Sequence, residues 1–262
     1  MTKVGLSTVS VYPESTAHGF AYAAHLGYDS VEVMVGTDAL SQQTTALLQL
    51  SDHHQIPISA VHAPCLLFTQ RVWGIEPWGK LQRSAEMARE VGADVVVVHP
   101  PFRWQKEYAA DFVNGIAALE ESTGIAFAVE NMYPWRASRR QMPMYLPGTD
   151  PSQESYANTT IDLSHAAIAG DDVIEMAKRL GPRLRHIHLT DGTGNARDEH
   201  LVPGRGEMRA GAFLEHLATS GFAGEVIVEI NTRRCPTIEE READLAESLA
   251  FARTHLAVGA EP

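Results

Sequence analysis

Short apolar or β-branched runs alternate with helix-compatible stretches along the chain, at a spacing suited to repeated βα units. The runs are VGLST (4–8), SVEVMV (30–35), ISAVH (58–62), DVVVVH (94–99), IAFAVE (125–130), TTID (159–162), LRHIHL (184–189) and EVIVEI (225–230). Between them the pattern predicts helices over 14–26, 38–54, 77–91, 107–121, 166–180, 211–219 and 238–256. Strands this apolar, separated by helices, imply a parallel sheet covered on both faces. Eight units of one kind imply closure into a single α/β domain over 1–262, a (β/α)8 TIM barrel. A doubly wound open sheet is the alternative, weakened by the absence of a Gly-rich dinucleotide fingerprint after the first run. The longest expected loop is 131–158, NMYPWRASRRQMPMYLPGTDPSQESYAN, and its length makes it a candidate substrate lid.

The candidate chemistry lies at the ends of these runs. The third ends at His62, the fourth at His99, the fifth at Glu130, the sixth at Asp162, the seventh carries His188 and the eighth Glu229. In a (β/α)8 barrel the C-terminal ends of the strands form one rim, so side chains distant in sequence can converge there. A lone histidine at a strand end is more often a hydrogen-bonded structural residue than a ligand. Six consecutive strands ending in ligand types favour a metal site.

Three further residues fit that rim. In DLSH, His165 follows Asp162 by three, where the chain turns into a helix. In RDEHLVPGRGE (197–207), Asp198 and His200 are two apart, so in an extended segment they face the same way. Pro203, Gly204 and Gly206 can turn that segment back over the mouth. Taken alone, the pair reads as a turn with a solvated histidine; beside the rim it reads as ligands. His186, two before His188, is expected one layer deeper as a core or supporting histidine.

Composition narrows the options. The chain has 262 residues, 44% of them hydrophobic, enough for a large core. No 18-residue apolar run occurs and MTKVGLSTVS has no leader pattern, so no membrane partner and a cytoplasmic location are expected. Cys65 and Cys235 lack CxxC spacing, which leaves histidine and carboxylate as the expected ligands. Cys65, near the mouth, is expected to be a buried free thiol, since no nucleophile pattern accompanies it. The formal charge of −12 disfavours DNA as a partner.

The motifs VHAP, VVHP, VEN, IDLSHAAIAG, HLTD, DEH with PGRG, and VEI resemble the endonuclease IV and xylose-isomerase-like TIM-barrel superfamily (AP endonuclease family 2). That resemblance implies as many as three zinc ions. His62 and His99 would hold one, with Glu130 bridging to a second completed by Asp162, His188 and Glu229. His165, Asp198 and His200 would hold a third. The implied activity is phosphoester hydrolysis by metal-activated water, and this multinuclear zinc phosphoesterase is the leading expectation. The other branch of the superfamily, sugar and sugar-phosphate isomerases and epimerases, implies one metal, zinc or manganese, at Glu130, Asp162, His188 and Glu229. There the two glutamates act as catalytic acid and base. A barrel that binds metal and ligand without turnover is a third option. GYDSVE resembles the second strand of the isomerase branch and marks Glu32 as a substrate-binding or supporting group.

Arginines collect in the expected rim loops: Arg71, Arg103, Arg136, Arg139, Arg140, Arg197, Arg205, Arg233 and Arg234. The planar guanidinium fork suits phosphate or carboxylate, so a small anionic or phosphorylated substrate is expected, with Arg103, Arg136, Arg139, Arg140 and Arg205 as candidate contacts. Trp104 is a candidate stacking surface in the same loops.

Overall fold

In a computed structural model of the chain, residues 2–137 and 140–258 are described, the side chains of 136–141 excepted. Eight parallel strands close into a barrel in the order β1-β10-β9-β8-β5-β4-β3-β2. They are β1 (Val4–Ser7), β2 (Ser30–Met34), β3 (Ile58–His62), β4 (Val95–Val98), β5 (Ala126–Glu130), β8 (Thr159–Asp162), β9 (Leu184–Leu189) and β10 (Glu225–Val228). Every apolar run expected to be a strand is one, with ends shifted by one or two residues. His99 and Glu229 lie one residue beyond their strands.

Helices α1 (Thr16–Leu26), α2 (Thr44–His54), α3 (Pro77–Val91), α4 (Lys106–Thr123), α7 (Ala210–Thr219) and α8 (Ile238–Leu256) cover the barrel as the apolar spacing predicts. Two expectations change. The helix expected over 166–180 is two, α5 (Leu163–Ala169) and α6 (Val173–Leu180). Gly170 ends α5 at φ +80°, and the Asp172 side chain accepts from Ile174 N and Glu175 N to start α6. The long loop holds structure of its own, a hairpin of β6 (Trp135–Ala137) and β7 (Arg140–Met142). Among the described residues no helix is long and apolar enough to cross a membrane.

Most of the apolar core lies between the strands and the helices. Inside the barrel, Ala60, Val95, Val97 and Ala128 form a separate small cluster. Because side chains on a strand alternate with period two, the residue two beyond each of these points the same way. Ala60 therefore leads to His62, Val97 to His99 and Ala128 to Glu130. The alternation that packs the interior with small apolar groups aims polar ones at the mouth.

At the barrel floor β1 is squeezed between β2 and β10. A Cβ on Gly5 would lie 2.5 Å from both Ile227 Cδ1 and Ser30 Oγ. Gly5→Val is expected to lower stability by about 1–3 kcal/mol through overpacking. Thermal denaturation followed by circular dichroism checks this, and an unchanged melting temperature would mean that the floor has slack.

Candidate metal centre

Three carboxylates meet at one nitrogen of His188. Its Nδ1 is 3.0 Å from Glu130 Oε1, 3.2 Å from Glu229 Oε2 and 3.8 Å from Asp162 Oδ2. All four side chains are buried. Asp162 Oδ2 and Glu229 Oε2 are buried without a hydrogen-bond partner, and Glu130 Oε2 has only the ion-pair contacts of His99 and His62. Burial by itself would raise the Glu130 carboxyl, but the imidazoles of His188, His99 and His165 outweigh it and hold the group well below the usual range. Burial raises Glu229, with His188 and His200 opposing. So many buried oxygens with unused lone pairs are costly unless a cation serves them.

Beneath this cluster, Glu32 is fully buried and bonds to His186 Nε2 at 2.8 Å and His188 Nε2 at 3.3 Å. An N–H on His188 Nε2 directed at Glu32 leaves the Nδ1 lone pair facing the three carboxylates. Glu32 is thus placed to orient a ligand, and His186 occupies the deeper layer expected of it.

A second group lies at the side of Glu130 facing β3 and β4. His99 Nε2 is 2.9 Å and His62 Nε2 3.4 Å from Glu130 Oε2. His62 Nδ1 bonds to the Ala63 carbonyl at 3.0 Å, while His99 Nδ1 has no partner. Cys65 stands with them as a free thiol, less buried than expected. It is partly exposed, and although burial pushes its pKa up, His99 and His62 pull it down to about 5. His62, Cys65 and His99 offer ligand atoms within 4.8 Å of one another. The spacing H-A-P-C, with Cys65 three beyond His62, was the available signal, and the lack of CxxC obscured it.

The loop after β9 brings Asp198 and His200 to the rim. His165 Nε2 is 3.2 Å and His200 Nε2 3.0 Å from Asp198 Oδ2. His165 Nδ1 faces the Asn131 carbonyl at 2.9 Å, and His200 Nδ1 the Glu229 carbonyl at 2.8 Å. Ser164 organises the turn: its hydroxyl donates to Asp198 Oδ1 and accepts from the backbone N–H groups of Glu199 and His200. Asp191 holds the returning half, accepting from Gly192 N, Gly204 N and Met208 N. His200 adopts φ +45°, a left-handed conformation uncommon for a non-glycine residue and often found where function demands a geometry. Neither Ser164 nor Asp191 was singled out from sequence, because their partners are backbone groups with no pattern in the chain.

All nine ligand candidates therefore converge on one mouth. The expected substrate contacts divide. Trp104 is 47% exposed and stacks on Phe102 with ring centroids 4.5 Å apart, beside exposed Arg103. Arg205 lies in the loop but bonds to Glu247 and, at 2.7 Å, to Asp244 on α8, so its charge is already matched. Arg139 and the side chains of Arg136 and Arg140 lie outside the described residues.

Glu130, Asp162 and His188 also offer ligand atoms within 4.8 Å of one another, as do Asp162, His165 and His200. Three carboxylates and one imidazole with orphaned buried oxygens fit a divalent cation, and this donor set has the capacity to hold one.

Residues 20–255 match the model of the xylose isomerase-like TIM barrel family. An uncharacterized protein of Mycobacterium tuberculosis (strain ATCC 25618 / H37Rv) is 48% identical over 273 residues, covering 97% of this chain and 98% of the relative. The fructoselysine 3-epimerase of Escherichia coli O157:H7 is 21% identical over 254 residues, covering 88% and 90%. Among solved structures, a D-tagatose 3-epimerase-like protein superposes with a TM-score of 0.70 at 23% identity, covering 97% of this chain and 100% of that one. Similar folds include further sugar epimerases, with an AP endonuclease of family 2 among them. These comparisons correct the leading expectation of a multinuclear zinc phosphoesterase. The similar proteins that carry a functional name are predominantly sugar epimerases, not multinuclear phosphoesterases. A barrel of this order, with its metal-binding residues at the C-terminal ends of the strands, is the architecture of the matched family, and the chain belongs to the xylose isomerase-like TIM barrel family.

Proposed function

We propose that the chain is a sugar or sugar-phosphate isomerase or epimerase that uses one divalent cation and the pair Glu130 and Glu229. The observation that carries this reading is the approach of both glutamates to His188 Nδ1 from opposite sides, Glu130 from β5 and Glu229 just beyond β10, with β8 and β9 between them. The names of the similar epimerases support it. Glu130, Asp162, His188 and Glu229 would hold the cation, and a carboxylate-rich set suits manganese better than zinc. When bound, the ion polarises the substrate carbonyl and acidifies the adjacent C–H.

The chain's own residues supply the rest. One glutamate removes the proton from the carbon beside the carbonyl, and the C–H electron pair moves into an enediolate. For epimerisation the other glutamate returns a proton to the same carbon from the opposite face; for isomerisation a proton returns to the former carbonyl carbon while the hydroxyl on the first carbon passes its proton to the former carbonyl oxygen and becomes the new carbonyl. Glu32 keeps His188 in one tautomer throughout. Tyr133, whose ring centroid lies 4.9 Å from that of His165, and the apolar cluster of Phe102, Met132 and Tyr145 close the mouth from the side of the 131–158 segment. We read that segment as a lid that excludes water, on a single barrel domain.

The purified protein is expected to carry close to one tightly bound divalent ion per chain. Elemental analysis returning three would undo the single-metal reading. Incubation with D-tagatose, D-psicose and their phosphates in deuterated water should place deuterium on the carbon next to the carbonyl; a panel left without deuterium would sink the proposal.

Two variants test the roles. Glu130→Gln is expected to slow exchange by about 10²- to 10⁴-fold, the usual worth of a proton-transfer group. Glu32→Gln should weaken metal affinity by about 10- to 100-fold, with turnover restored at saturating metal, as for a group that orients a ligand. Turnover that stays low in saturated Glu32→Gln would place Glu32 in the chemistry instead.

A further inference from the structure

Beside the metal-binding mouth, a cavity of about 300 Å³ opens between the β3–α3 and β4–α4 loops. It shares His99 and Cys65 with the mouth, so it is continuous with the place where Glu130 sits. Its volume is at the lower end of small-ligand sites. One wall is aromatic, with Trp104, Phe102 and Tyr108; another carries Lys80 and Arg71.

The charge of this lining is unlike that of the rest of the molecule. The chain carries a net charge of −12, yet no aspartate or glutamate lines the cavity. Lys80 is 8% exposed, and its ammonium donates to the carbonyls of Gln70, at 2.6 Å, and Thr69, at 3.3 Å. An ammonium has three donors, so one is left over. Among the described residues neither Lys80 nor Arg71 pairs with a carboxylate within 4.0 Å, in contrast to Arg205, Arg241 and Arg253. The neighbouring acid, Glu76, is turned to the start of α3, where it accepts from Trp78 N and Gly79 N. The Cys65 thiol, which shares this lining and is pulled down to about 5, is the nearby acid that favours the charged Lys80, but it forms no ion pair with it, so the remaining ammonium donor is open to an anion.

We propose that this cavity is an anion subsite, in which Lys80 and Arg71 hold a phosphate or carboxylate at the end of the substrate remote from the carbon that meets Glu130 and Glu229. This rests on the sugar isomerase or epimerase reading and narrows its substrate to sugars bearing an anionic terminus. The aromatic wall covers the apolar face of the sugar chain between the two ends, while the metal-binding carboxylates repel the anion from the mouth. The charge pattern therefore sets the direction in which the substrate lies.

The test is direct binding to the metal-loaded protein, followed by tryptophan fluorescence and by calorimetry, with inorganic phosphate, acetate, D-fructose and D-fructose 6-phosphate as probes. Phosphate or acetate should bind saturably, and the tighter of the two identifies the anion. D-fructose 6-phosphate should bind more tightly than D-fructose. Lys80→Met and Arg71→Ala should each weaken the anionic probes by about tenfold to a hundredfold, as for a lost charge-assisted hydrogen bond, and leave D-fructose unchanged. Arg71 is exposed and, among the described residues, its side chain makes no hydrogen bond or ion pair, so Arg71→Ala reads the anion even if Lys80→Met loosens the 69–70 turn. Anion binding that neither variant alters, equal affinity for D-fructose and its phosphate, or no anion binding would overturn the subsite. Variant-sensitive anion binding in a protein that exchanges no deuterium into any sugar would leave the subsite standing and remove the isomerase reading instead.

Discussion

Four buried carboxylates, Glu32, Glu130, Asp162 and Glu229, crowd the inside of one barrel end, and the structure around them is arranged to bear that charge. Ionised carboxylates withdrawn from water are tolerated when cations and donors surround them. Here the answer is a ring of imidazoles, from His62, His99, His165, His186, His188 and His200, each within 3.5 Å of an acid oxygen. Two of these rings are held toward the charged form although burial opposes it: His99 is raised to about 9 by Cys65 and Glu130, and His200 to about 10 by Asp198. A divalent ion at His188 Nδ1 would take over part of this task and change each of those balances.

Much of this was legible in the chain because two periodicities coincide. The period-two alternation that packs Ala60, Val97 and Ala128 inside the barrel is the same one that aims His62, His99 and Glu130 at its mouth. Reading strand ends therefore found the ligands and the fold together. What escaped has the opposite character. The break at Gly170 depends on a cap that competes with a good helical pattern on both sides. The hairpin in 131–158 pairs segments too short and polar to announce themselves, and Ser164 and Asp191 act on backbone N–H groups. Cys65 was visible as a residue but not as a neighbour, since its closeness to His99 is set by the contact of β3 with β4.

The correction from phosphoesterase to sugar chemistry shows why a ligand inventory underdetermines a reaction. Nine positions with suitable side chains can be nine ligands, or four ligands and a surrounding shell. The comparisons favour the smaller set, and the Arg205 guanidinium is already paired with Asp244 and Glu247 on α8. Lys80 and Arg71, by contrast, stand without a carboxylate partner among the described residues beside the mouth. Function on a shared fold is decided by such local differences in what each polar group already has.

The seam between β5 and β8 has a consequence for how an ion is held. These strands share two registered pairs, Val129↔Thr159 and Glu130↔Thr160, whereas β4–β5 and β8–β9 share four each. The long 131–158 segment leaves the barrel at this seam, and beyond it the pairing is continued by a side chain: Asn131 donates to the Asp162 carbonyl at 3.0 Å and accepts from Asp162 N at 2.6 Å. Glu130 and Asp162, two of the metal-binding acids, sit on either edge. An ion gripping both would rivet the two edges together, and its binding energy would be shared with the closure of the barrel. Asn131, whose side chain bonds only the Asp162 backbone, would then contribute to ion binding by holding the two acids at their spacing.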